Sequence, residues 1–193
     1  MIAAGSTSIF NKGKGCGSRY QVMCTTPKAC SGKVVTVVIS NYSCPSTGCL
    51  RESAHFNFSS TASGAMANPG IADELRSAGY LQIQYSRLAC EYLGRTVTFH
   101  MEHGSNPYYL VAVEFEDGDG DLSAVEIKEG SGEWHAMRQS CGVVWRLDTA
   151  SSVHGPFSIQ LTLQYSSKKL VANTVIPAGW KPGATYQSFV NYS

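Results

Sequence analysis

Two polar side chains on one predicted strand, His55 and Asn57, are the residues whose types and spacing best suit chemistry. They alternate with Phe56 and Phe58, and a period of two puts both rings on one face of a strand and both polar groups on the other. A run of small residues at 59–65 follows, and it favours a tight turn into a short helix. The polar face of this strand is therefore the first candidate site.

The composition narrows the class of ligand that such a site would bind. The chain has 193 residues, a formal net charge of +1 and only 15% charged residues, with no basic cluster beyond Lys168 and Lys169. Binding to a phosphate backbone needs a basic surface, so nucleic acid is excluded as a partner. A neutral polysaccharide, held by stacking and hydrogen bonds, is compatible. No apolar run approaches the roughly 18 residues of a membrane span, so no integral membrane segment is expected.

Several motifs, in a fixed order, resemble landmarks of one protein family. They are GKGCGSRYQVMC, HFNFSSTASGAMA followed by DELR, TVTFHMEHGSNPYYL and VIPAGWKP. Together they resemble β-expansins, and the resemblance covers essentially the whole chain from Ile9 onward. It implies an incomplete six-stranded double-psi β-barrel over residues 1–93 and an immunoglobulin-like, carbohydrate-binding β-sandwich over residues 94–193. Short strand-like segments after residue 96, separated by Gly, Pro and Asp turns, favour a sandwich independently.

The family pattern also bears on catalysis. Inverting glycoside hydrolysis needs two carboxyl groups, one that donates a proton and one that activates water. Asn41 and Asn57 stand where the pattern has acids, and an amide does not exchange a proton near neutral pH. No catalytic residue, cofactor or metal is therefore expected. A plain polar strand residue is an equally weighted interpretation of Asn57.

Aromatic side chains are the expected binding groups, because the C–H face of a sugar ring is apolar and stacks on a flat ring. The resemblance places Tyr109 and Trp180 in a coplanar platform, puts Cys141 where the family has a third member, Trp, and places Trp145 in the core. Core packing is the alternative for any single aromatic residue. The resemblance also implies that the polysaccharide-binding surface includes part of the barrel, where Tyr20, His55 and Asn57 are the expected contributors.

Seven cysteines, most of them in the first half of the chain, predict a disulfide framework formed in an oxidising compartment. Zinc competes as an interpretation of close cysteines, but the spacing lacks a matching second pair. The resemblance implies that Cys24 pairs with Cys30 and that Cys44 bridges Cys49. It leaves Cys16 and Cys90 without their family partners, because the partner of Cys16 lies in the missing segment and Arg19 stands in place of the partner of Cys90. These two cysteines then either pair with each other or stay reduced.

A cluster of acidic residues resembles a calcium loop only in part. Asp117, Asp119 and Asp121 alternate as ligands would, but Leu122 occupies the glycine position and Lys128 the position of the bidentate acid. A hairpin turn is therefore the favoured interpretation. Sequons for N-glycosylation also occur in the chain, and the candidate acceptors are Asn41, Asn57 and Asn191.

The expected function is that of a secreted, monomeric protein of the plant cell wall. It would bind cellulose and xylan-type matrix polysaccharides and loosen their non-covalent contacts without hydrolysis. The alternatives are a degenerate member acting only as a polysaccharide-binding module and an endoglucanase-like hydrolase. Residues 1–4 are too short for the apolar region of a signal peptide, and the family segment with an early cysteine has no counterpart. An N-terminally shortened form is therefore expected, with an odd gene model as the alternative.

Overall fold

The computed structural model describes residues 1–43, 54–102, 109–149 and 153–193. These residues divide into two compact units, Met1–Leu88 and Ala89–Ser193. The division falls close to the boundary that the sequence predicts after residue 93. None of the helices in the described ranges is long and apolar enough to cross a membrane.

The first unit is a mixed sheet with three short helical segments. Its strands lie in the order β4-β1-β3-β2-β5, with β1 and β3 parallel and the other pairs antiparallel. The strands are β1 (Ile2–Gly5), β2 (Arg19–Thr26), β3 (Val34–Tyr42), β4 (Phe56–Phe58) and β5 (Gln82–Leu88). The helices are α1 (Thr7–Phe10), continued by a 3-10 turn at Asn11–Gly13, α2 (Ser60–Ala65) and α3 (Ala72–Ser77).

This sheet curls into the predicted incomplete barrel. Phe56 on one edge strand and Tyr85 on the other have ring centroids 5.1 Å apart, so the two edges of the sheet approach each other. Inside the curl lie Val35, Val37 and Ile39, which alternate along β3 and are at most 6% exposed. The β-branched residues of β3 suit such a half-buried pleated surface.

Strand β1 was not predicted from the sequence, yet it lies between β3 and β4. Its residues are IAAG, a short and small stretch with little strand propensity of its own. The glycine that ends β1 is explained by steric limits. A Cβ on Gly5 would lie 2.5 Å from a side-chain carbon of Ile9, so only glycine lets helix α1 pack against β1.

The second unit is the predicted β-sandwich. One sheet has the order β10-β11-β7-β6-β14 and the other β13-β12-β8-β9, and all the paired strands are antiparallel. The strands are β6 (Thr98–Met101), β7 (Tyr109–Glu114), β8 (Leu122–Glu129), β9 (His135–Ala136), β10 (Arg138–Cys141), β11 (Val144–Leu147), β12 (Phe157–Leu163), β13 (Lys169–Ile176) and β14 (Thr185–Gln187).

The core of the second unit lies between these two sheets. Phe99, Val111 and Trp145 come from one sheet, and Ile127 and Ile159 come from the other. All five side chains are at most 5% exposed. Trp145 is thus a core residue, which confirms the prediction for this tryptophan.

Candidate functional site

The two amides that replace the family acids stand at the same level of the first sheet. Ala4 of β1 pairs with Asn41 of β3 on one side and with Asn57 of β4 on the other. Directly paired residues point to the same face, and neighbouring strands are about 4.8 Å apart. The two amides therefore flank Ala4 on the outer face, about 10 Å apart from backbone to backbone. Both are exposed.

A shift of register places Asn41 on this face. Ile39 pairs with Ala3, but Asn41 pairs with the next residue, Ala4, so Ser40 is an extra residue in β3. With strict alternation, Asn41 would point into the core beside Ile39. The extra residue turns the side chain outward, as bulges commonly do near functional sites.

His55 and Asn57 both contact Ser43, the residue that follows β3. Asn57 Nδ2 donates to the Ser43 hydroxyl at 3.4 Å, and His55 Nε2 lies 3.1 Å from the Ser43 carbonyl oxygen. A carbonyl can only accept, so Nε2 is the protonated nitrogen in this contact. The exposed amides of Asn41 and Asn57 offer N–H donors and carbonyl oxygens, which suit the hydroxyl groups of a sugar.

The prediction that Tyr20 contacts the ligand is wrong. Its ring is 5% exposed and packs edge-on against Phe56 at 5.3 Å, because Tyr20 and Val22 alternate toward the inner face of β2. Arg87 donates to the Tyr20 hydroxyl at 3.3 Å. Tyr85 is the member of this aromatic cluster that reaches solvent, with 47% of its surface exposed, and the sequence analysis did not single it out.

The structure also corrects the predicted platform of the sandwich. Tyr109 is 1% exposed and lies in the core, where Tyr109, Val111 and Val113 alternate inward along β7. Its ring meets Phe157 and Trp180 edge-on, at 4.8 and 5.0 Å. The planes of Tyr109 and Trp180 are 81° apart, so the two rings cannot form one flat surface. Burial raises the pKa of the Tyr109 hydroxyl.

Trp180 is the platform residue that keeps an exposed part, since it is half-buried against the edge of the sandwich core. Cys141 ends strand β10, where its backbone pairs with Val144. The side chain of Cys141 lies outside the described part of the structure, so its place in a platform stays a prediction.

The cysteines follow the family pairing where the structure describes them. Cys24 and Cys30 form a disulfide with their Cα atoms 5.4 Å apart, which confirms that pair. Cys44 and Cys49 lie outside the described residues. Cys16 is half-exposed in the first unit and Cys90 is buried in the second, and the pairing of these two stays a prediction.

Two aspartates of residues 117–121, which follow β7, accept hydrogen bonds from the backbone of other segments. These contacts support the interpretation of this stretch as a structural turn. Asp117 Oδ1 accepts the backbone N–H of Tyr92 at 2.5 Å. Asp119 Oδ2 accepts the backbone N–H groups of Tyr165 and Ser166 at 2.7 and 2.8 Å. Among the described residues, no group of three or more His, Cys, Asp or Glu side chains has an arrangement that could hold a metal ion.

Asn191, one of the candidate glycan acceptors, is hydrogen-bonded to backbone groups of the same region. Its Oδ1 accepts the backbone N–H groups of Asp117 and Tyr192, both at 2.9 Å. Its Nδ2 donates to the carbonyl oxygens of Arg95 and Phe115, at 3.2 and 2.9 Å. The nitrogen that would bear the sugar is therefore occupied within the fold. Glycosylation at the other two sequons stays a prediction.

A half-barrel joined in sequence to a sandwich defines a class of two-unit, mainly β proteins, and comparisons with known proteins place the chain within it. A family model described as "Lytic transglycolase" matches residues 2–85, and the model of the expansin C-terminal domain matches residues 97–177. Expansin-B11 of Oryza sativa subsp. japonica is 54% identical over the whole chain, which covers 66% of that relative. Expansin-B4 of Arabidopsis thaliana is 48% identical, with 74% of it covered. The chain belongs to the expansin family.

Solved structures show the same fold at lower identity. A point mutant of Clavibacter michiganensis expansin in complex with cellohexaose is 22% identical, with a TM-score of 0.74. This chain is covered completely and the bacterial chain to 83%. The ligand-free bacterial protein has a TM-score of 0.73. The chain spans about two thirds to three quarters of the length of the plant relatives named above.

Proposed function

We propose that this protein is a non-hydrolytic expansin that binds cellulose and matrix polysaccharides and loosens their non-covalent contacts. The observation that carries the proposal is the exposed pair Asn41 and Asn57, which flank Ala4 where the family pattern has acids. Amides hydrogen-bond sugar hydroxyls in both directions, but they supply neither the acid nor the base of hydrolysis. The pair therefore suits the binding of a polysaccharide without its hydrolysis.

The proposal places the protein in the plant cell wall, secreted and monomeric, with xylan-type glycans as ligands beside cellulose. The Cys24–Cys30 disulfide supports an oxidising compartment such as the secretory route. The cellohexaose bound to the bacterial relative supports a β-1,4-glucan as one ligand class. The low net charge supports neutral chains over acidic ones.

The purified protein should release no reducing ends from cellulose, xylan or mixed-linkage glucan, and it should still sediment with cellulose and extend wall strips under load. A reducing-sugar assay beside a pull-down measures both properties. The double variant Asn41→Asp, Asn57→Asp is the matched comparison, because it restores carboxyl groups without changing side-chain size. Turnover by the wild-type protein above a denatured control would refute the proposal. Binding without wall extension would instead indicate a binding-only module.

Trp180→Ala should weaken binding to crystalline cellulose about five- to tenfold, because a stacked aromatic ring contributes about 1 kcal/mol. A depletion isotherm measures the change. Trp134→Ala is the matched control, since Trp134 is also half-buried but stands beside β9 with Lys128 Nζ 4.9 Å from its ring centroid. Equal losses in the two variants, or no loss in Trp180→Ala, would contradict the role of Trp180.

Cys141→Trp should strengthen the same binding about five- to thirtyfold, since a further stacked ring adds about 1 to 2 kcal/mol. The isotherm is measured with a melting curve on each protein, because a buried Trp would overpack and lower the melting temperature. Unchanged affinity together with an unchanged melting temperature would show that position 141 lies outside the binding surface.

A further inference from the structure

A shallow cleft of about 240 Å³ lies on the first unit, over strands β2, β3 and β5. It is a different part of the sheet from the Asn41 and Asn57 pair, which lies over β1. The cleft is lined only by residues that are neither acidic nor basic. They are Gln21, Val22, Met23, Val34, Gln84, Tyr85 and Ser86.

The register shows which side chains face outward here. Met23 of β2 pairs with Val34 of β3 on one side and Gln84 of β5 on the other, which makes one row. The next row lies two residues further along the strands, where Gln21 of β2 pairs with Thr36 of β3 and with Ser86 of β5. Residues of β2 between these rows, such as Val22, are buried, so both rows stand on the outer face.

The outer rows combine two kinds of group that a sugar chain needs. The carboxamides of Gln21 and Gln84 are exposed, and each offers two donors and an acceptor to hydroxyl groups. Val34 is 57% exposed and Met23 is half-buried, so apolar surface lies beside the amides for the C–H faces of the sugar. The lining contains no charged side chain, so a charged ligand would lose its hydration without gaining an opposite charge in the cleft.

The cleft also continues the outer face that carries the amide pair. Along β3, the outward residue Thr36 is five positions before Asn41, which corresponds to about 16 Å of strand. Val38 lies between them and pairs with Ile2 and Arg19, and Arg19 is the charged residue of this row. An extended chain of several sugar units could cover this distance along one continuous surface.

We propose that the outer face of β3, β2 and β5, centred on Gln21, Met23 and Gln84, is a second binding site for a neutral glycan chain. The site extends the binding surface of the first unit from Asn41 along β3. It takes its ligand class partly from the proposed function, but it needs neither Trp180 nor any other residue of the sandwich.

Titration of the ¹⁵N-labelled Trp180→Ala variant with cellohexaose tests this site without the main sandwich contact. The side-chain amide signals of Gln21 and Gln84 should shift. Gln84→Glu and Gln21→Glu, which keep the size but replace the NH₂ donor, should each weaken this binding about fivefold. Asn173→Asp, at an exposed position of β13 in the other unit, is the matched control, and it should leave the affinity for cellohexaose unchanged.

The possible outcomes separate the two proposals. If only sandwich signals move in the wild-type protein, the second site is wrong and the proposed function stands. If no signal of either unit moves, both are wrong for this glucan. Polygalacturonate, an anionic chain of similar shape, should bind this face more weakly than cellohexaose, and equal binding would overturn the assignment to a neutral glycan.

Discussion

The free energy of unfolding of the second unit should fall as the pH rises from about 4.5 to about 8, and Glu116→Gln should remove most of this fall. Glu116 is 8% exposed, and burial together with the nearby Asp121 carboxyl raises its pKa from 4.5 to about 8. Between these values the folded state keeps a proton that the unfolded chain has released. Stability is therefore fully present below about 4.5 and decreases with pH, by at most about 1.4 kcal/mol per pH unit, until about 8.

Melting curves of wild type and Glu116→Gln at pH 5 and pH 8 measure this effect. The variant cannot ionise, so it should melt close to wild type at pH 5 and above it at pH 8. Glu114→Gln is the matched control, because Glu114 is exposed two residues earlier and should leave the pH profile unchanged. Parallel profiles for wild type and Glu116→Gln would show that Glu116 ionises normally in the folded protein.

Asn191→Ala should lower the stability of the second unit by about 2 to 4 kcal/mol, because it removes four hydrogen bonds between its side chain and backbone groups. For a unit of this size the melting temperature should drop by roughly 10 to 20 °C. Asn191→Asp keeps the acceptor oxygen but places a second oxygen against the carbonyl oxygens of Arg95 and Phe115, so it should also destabilise the second unit. Asn173→Ala, on an exposed strand position, is the control.

A drop of less than about 1 kcal/mol in Asn191→Ala would mean that water replaces these hydrogen bonds and that the side chain does not hold the acidic turn. Mass spectrometry of protein secreted from a plant host gives a second check. Position 191 should carry no glycan, since its Nδ2 donates to two backbone carbonyl groups in the folded unit.

The sequence predicted the two-part β architecture because motif order and turn spacing survive changes in individual side chains. It also placed Trp145 in the core and paired Cys24 with Cys30. The errors at Tyr20 and Tyr109 have one cause. Each was assigned a binding role by its family position, although alternation with buried valines on the same strand already indicated an inward side chain.

Other features of the site were not accessible from local sequence patterns. The pairing of Asn41 and Asn57 across Ala4 depends on strand β1, whose small residues give almost no strand signal. The register shift at Ser40 has no signature of its own in the sequence. The burial of Glu116 and the hydrogen bonds of Asn191 depend on contacts between segments far apart in the chain.

The outward turn of Asn41 at Ser40 also bears on how this family can evolve. Because the extra residue in β3 separates Asn41 from the core position Ile39, substitution at position 41 leaves the packing beneath it unchanged. Asn57 is likewise exposed, and exposed substitutions usually change stability by less than about 0.5 kcal/mol. Selection for folding and selection for chemistry thus act on different residues. A lineage could therefore exchange an acid for an amide at either position without passing through an unstable intermediate.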